Sequence, residues 1–133
     1  MIKLPEVVAL VLCERMEVDP QRGKTSLSGI FHARRLRSFP SPGQTFTAYV
    51  AVYGGIGEGT LQLDISRLDG EDCIYTWRKW CTFPGPTYLV NLEIPIEDCS
   101  FPSPGRYELT LRFDARLVTY RRFDVFHEDT GGS

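Results

Sequence analysis

Between Arg106 and Asp114 the side chains alternate without a break. Tyr107, Leu109, Leu111 and Phe113 interleave with Arg106, Glu108, Thr110, Arg112 and Asp114. A period of two puts successive side chains on opposite sides of an extended chain. The segment is therefore read as a strand with one face in an apolar core and the other in water, the habit of antiparallel sheets. The same alternation recurs in Leu61, Leu63 and Ile65, in Phe46, Ala48, Val50 and Val52, in Val90, Leu92, Ile94 and Ile96, and in Phe123 and Val125. Tyr49 and Tyr53 leave the second face of their strand partly apolar. Val7 to Leu12 is apolar on both faces, which predicts a central strand covered on both sides.

Turn chemistry divides these runs. Asp19-Pro20-Gln21-Arg22-Gly23 and Asp69-Gly70 supply residues that tolerate tight turns, and Gly54 to Gly59 forms a glycine-rich connection. The string Phe39-Pro40-Ser41-Pro42-Gly43 recurs as Phe101-Pro102-Ser103-Pro104-Gly105, each time ahead of an alternating strand. Proline cannot donate to a ladder, so both copies are stiff breaks with a phenylalanine free to anchor in the core. No window holds a capped helical period. The expectation is eight strands, 6–18, 25–38, 44–54, 58–68, 72–83, 88–96, 105–114 and 117–126, in an all-β antiparallel sandwich of Ig-like or C2-like architecture. A chain of 133 residues fits one such domain over 1–126, followed by a polar, glycine-rich, flexible tail over 127–133.

Charge and cysteine content narrow the function classes. With 15 basic against 17 acidic residues there is no field to gather nucleic acid or an anionic membrane, and no run is long enough to span one. No export signal is recognised at Leu10 to Cys13, so the expected location is cytoplasmic. Cys13, Cys73, Cys81 and Cys99 show no paired motif and are read as reduced thiols. On one strand, Cys73 and Cys81 would lie about 26 Å apart.

Catalysis needs a nucleophile with a base, tuned carboxylates or a metal site. His32 and His127 have no ligand-spaced companion, and no phosphate-binding loop is present. The expectation is a non-enzyme without a cofactor. The acidic loop residues Asp69, Glu71, Asp72, Glu97, Asp98 and Asp114 are read mainly as solvated turns, with Ca²⁺ ligation the alternative. Arg34, Arg35 and Arg37 in one strand, with Arg78 and Lys79 beside Trp77 and Trp80, form the basic–aromatic clusters. Trp77 has the phase of a core residue and Trp80 the opposite one. A contact face of Trp80, Tyr88, Arg34, Arg35, Arg37 and Arg78 is the candidate site, and the remaining charges are solvated faces.

One set of residues goes beyond pattern. Cys13-Glu14-Arg15, Asp19, Gly23-Lys24, Ser26-Leu27, Gly29-Ile30-Phe31 and Phe39-Pro40 resemble the N-terminal signature of a family of small bacterial proteins of unknown function. Asp69-Gly70, Phe101-Pro102, Pro104-Gly105-Arg106-Tyr107, Phe123 and Val125 continue the resemblance, while Ala115-Arg116 stands where a glycine is expected. The resemblance implies a compact β-sandwich and a bacterial source, and carries no activity and no site residues. From the sandwich pattern and the missing catalytic constellation, the chain is expected to be a binding or accessory module, engaging a protein partner or a second copy of itself. The alternative is a sandwich that binds Ca²⁺, lipid or carbohydrate.

Overall fold

The computed structural model describes residues 2–70 and 72–128. Its strands are β1 Glu6–Cys13, β2 Arg15–Asp19, β3 Lys24–Ser28, β4 Ala33–Leu36, β5 Gln44–Tyr53, β6 Ile56–Arg67, β7 Cys73–Pro84, β8 Leu89–Cys99, β9 Gly105–Phe113 and β10 Arg116–His127. They form a five-stranded sheet in the order β4-β10-β9-β6-β7, a three-stranded sheet β1-β5-β8 and a hairpin β2-β3. Every pairing is antiparallel except that of β4 with β10, which is parallel.

The two larger sheets face one another, and the alternation of the sequence decides which side each strand turns inward. On β9 Tyr107, Leu109, Leu111 and Phe113 are fully buried. Leu61, Leu63 and Ile65 on β6 join them, and Phe46, Ala48, Val50, Ile94 and Ile96 approach from the other sheet. Each such aliphatic or aromatic side chain contributes roughly 1.5–3 kcal/mol by leaving water. The outer side of the five-stranded sheet is polar and cross-linked. Asp64 accepts from Arg112 at 3.2 Å, from Gln62 at 2.8 Å and from Thr76 at 2.8 Å, and Glu108 pairs with Arg122 at 3.2 Å.

The two repeated breaks dock on each other. Ser41 donates its backbone N–H to the Phe101 carbonyl at 2.9 Å, and its Oγ accepts the Phe101 N–H at 2.9 Å. Ser100 Oγ donates to the Ser41 carbonyl at 2.5 Å. Phe101 is fully buried, with its ring 5.0 Å from Tyr107 and 6.0 Å from Phe123. The Tyr107 hydroxyl donates back to the Ser103 carbonyl at 2.6 Å. The repeat therefore ties the starts of β5 and β9, one from each sheet, at one end of the sandwich.

Three expectations are corrected. Ten strands form among the described residues, because each of the first two expected strands is divided. The divisions fall at Glu14, whose N–H donates to the carbonyls of Ser28 and Gly29, and at Gly29 itself, which sits at φ 68°. A side chain at Gly29 would place its Cβ 2.4 Å from Glu14 Cγ, so the crossing requires glycine. The first strand is not central. β1 is an edge of the three-stranded sheet, and Val8, at a β-bulge, is 62% exposed. His127, assigned to the tail, closes β10, and the Glu128 N–H donates to the Leu36 carbonyl. Residues 129–133 of that expected tail lie outside the described residues.

Candidate functional site

β7 ends the five-stranded sheet and β8 ends the three-stranded sheet on the same side of the sandwich. Between them opens a groove of about 440 Å³. Its apolar wall is Leu61, Trp77 and Cys81, facing Leu92 and Ile94 of β8; Lys79 and Trp80 stand on one rim, Asn91 and Glu93 on the other. Alternation along β7 explains the division. Tyr75, Trp77, Cys81 and Phe83 turn toward the core, while Thr76, Arg78, Trp80 and Thr82 belong to the outer face. Trp77 packs half-buried against the core, as its phase implies, and Trp80 is 62% exposed. Burial raises the Cys81 thiol above its ordinary value, and the neighbouring Lys79 charge pulls the other way. On the far rim Asn91 is fixed by the Tyr49 hydroxyl, which donates to its Oδ1 at 2.8 Å.

The candidate residues do not share one patch. Trp80 and Arg78 lie on β7, with Arg78 Nε donating to the Gln62 side chain at 3.0 Å. Tyr88 is exposed in the β7–β8 connection, where its carbonyl accepts the Gly54 N–H. Arg34 and Arg35 lie on β4 and Arg37 just beyond it, at the opposite edge of the sheet. Four interstrand spacings of ~4.8 Å separate those edges by about 19 Å. Arg34 is engaged internally: it donates to Glu14 at 2.8 Å and Gln44 at 3.3 Å, and its guanidinium lies over the rings of Phe31 and Phe46. Arg35 lies over Phe126, and Arg37 pairs with Glu128 at 3.0 Å.

The acidic loop residues divide between the two ends of the sandwich. Asp69 follows β6 and takes both oxygens to Arg67, whose hydrogen bond holds its carboxyl below the ordinary value. Asp114 sits at the other end, accepting the Thr60 N–H at 2.8 Å. Glu71 lies outside the described residues. No group of three or more His, Cys, Asp or Glu side chains suited to a metal ion occurs among the described residues. All four cysteines are free thiols, with Cys13 and Cys99 buried and Cys73 exposed. His32 is exposed on the β3–β4 connection. Asn91 and Glu93 were not singled out by the sequence, and Leu92 only as an apolar strand residue, because nothing in it announces that β8 faces β7 across a gap.

The class these features define is an all-β sandwich, mostly antiparallel, with an open groove at one edge. The chain belongs to DUF6941, a family of unknown function, whose profile matches residues 8–126. No curated protein matches the sequence. Similar solved structures include the selenomethionine-labelled beta-glucosidase from Kluyveromyces marxianus, at 12% identity and a TM-score of 0.43. That alignment covers 68% of this chain, which spans 14% of the glucosidase chain. A likeness of that size carries no argument about this chain.

Proposed function

We propose that this protein is a non-catalytic binding module that holds a protein partner in the β7–β8 groove. The observation that supports this reading is the exposure of Trp80 on the rim of the β7–β8 groove, with Trp77 and Cys81 supplying an apolar wall beside it. Tryptophan is enriched among the residues that dominate interface energies, and a half-open apolar cleft with a polar rim suits the centre and margin of a contact. Away from Trp80, the outer face of the same sheet is cross-linked by its own ion pairs and hydrogen bonds, and so presents little unsatisfied surface to a partner.

The test is a pull-down from native lysate with wild-type protein and with Trp80→Ala, alongside thermal melts of both. Tyr120→Ala serves as the control, because Tyr120 is also exposed and lies on β10, three strands from β7 across the sheet. The reading expects Trp80→Ala to lose a retained protein while its Tm stays within the experimental spread, and Tyr120→Ala to keep it. Retention of the same proteins by Trp80→Ala would remove the groove as the contact surface. A large fall in Tm would make Trp80 a structural residue instead.

A further inference from the structure

Resting on the groove reading, we propose that the free edge of β7 takes up an extended acidic–apolar peptide as a sixth strand of the five-stranded sheet. β7 is a 12-residue strand with its partner β6 on one side and, among the described residues, no further strand on the other. Its outward backbone donors and acceptors are a template for strand addition, in which main-chain bonds give affinity and alternating pockets give specificity. β8, the edge across the groove, is a poor template. Pro95 lacks a donor in mid-strand, and Glu93, Glu97 and Asp98 make that edge acidic.

Charge selects the occupant. Arg78 and Lys79 occupy the middle of β7. Neither forms an ion pair among the described residues, and Arg78 bonds a neutral amide. A second copy pairing antiparallel about the centre of β7 would set Arg78 against the Lys79 position of the other copy twice over, and like charges directly opposite destabilise a pair. Lys79 also has the inward phase of Trp77 and Cys81, and an inward charge on an edge strand opposes indiscriminate pairing. An acidic strand removes both penalties. Antiparallel to β7, the residues opposite Cys81, Trp80, Lys79, Arg78 and Trp77 read apolar, apolar, acidic, acidic, apolar. The first and last turn into the groove, and the second lies beside Trp80 on the outer face.

The test uses a short synthetic peptide with the core Val-Ile-Glu-Glu-Val, a counterpart with both Glu replaced by Lys, and a third form N-methylated at alternate residues. Titrations against the full chain are read by tryptophan fluorescence and by sedimentation. The acidic peptide is expected to bind saturably and roughly tenfold more tightly than the basic one. N-methylation is expected to abolish binding, and Arg78→Glu with Lys79→Glu to reverse the charge preference. Equal binding of the acidic and basic peptides, indifference to N-methylation, or binding of none of them overturns the inference. So does a wild-type dimer whose formation requires β7. If no peptide binds while Trp80→Ala still strips the retained partner, strand addition fails and the groove reading stands. If Trp80→Ala strips nothing, the groove reading fails with it.

Discussion

The two edges of the five-stranded sheet carry similar residues in opposite states. At β4 the basic residues are engaged by partners within the chain. Arg34 is clamped over Phe31 and Phe46 and tied to Glu14 and Gln44, and Arg37 reaches Glu128. At β7, Arg78 and Lys79 have no carboxylate among the described residues, and Trp80 lies open beside them. β4 is also short, at 4 residues, whereas β7 has 12. A cluster of arginines in a sequence thus says little by itself; the packing around it decides whether the charges hold the fold together or face a partner.

Truncation should separate the edges most sharply. Arg34→Ala removes two charge-assisted hydrogen bonds and the cation over two rings, and is expected to lower unfolding stability by about 2 kcal/mol in urea denaturation. Arg78→Ala is expected to change it by less than about 0.5 kcal/mol, as exposed groups usually do. Equal losses from the two variants would erase the distinction between a structural edge and an open one.

A smaller effect sharpens the comparison through the thiols. Burial pushes Cys99 up to about 12 from its ordinary 9.0, although nearby Arg34 pulls it down. A raised thiol pKa favours the neutral folded form. Its contribution is whole below pH 9.0 and is lost as pH climbs from 9.0 toward about 12. Wild-type stability is therefore expected to fall by roughly 1 kcal/mol over the first pH unit above that point, and Cys99→Ala to fall less. The check is a series of melts at alkaline pH; parallel curves for the two proteins would show that the thiol does not titrate with unfolding.

How much of this was legible in the sequence follows from what alternation encodes. It located β5 to β10 closely and gave Trp77 and Trp80 their opposite faces, because the period of two is a local property of the chain. The division at Glu14 was hidden because Met16 and Val18, beyond Glu14, resume the apolar phase of Leu10 and Leu12. The covering of both faces expected for Val7 to Leu12 failed because apolar residues also sit on edge strands, as Val8 does at its bulge. Strand order is a non-local property. Nothing in the runs of arginine showed that β4 would pair in parallel with β10, far from β7. The last hairpin shows the limit of residue preference. Asp114 and Ala115 take φ of 48° and 67°, the geometry that favours glycine, and the chain turns there with an alanine.

Amide hydrogen exchange across β7 tests the open edge most directly, read in the full chain with and without the acidic peptide. In the free protein, alternate β7 amides should exchange fast while those bonded to β6 are protected. With the peptide present, the fast β7 amides should slow and those of β4 should not change. Uniform protection along β7 in the free protein, or no change there with the peptide bound, would contradict the account.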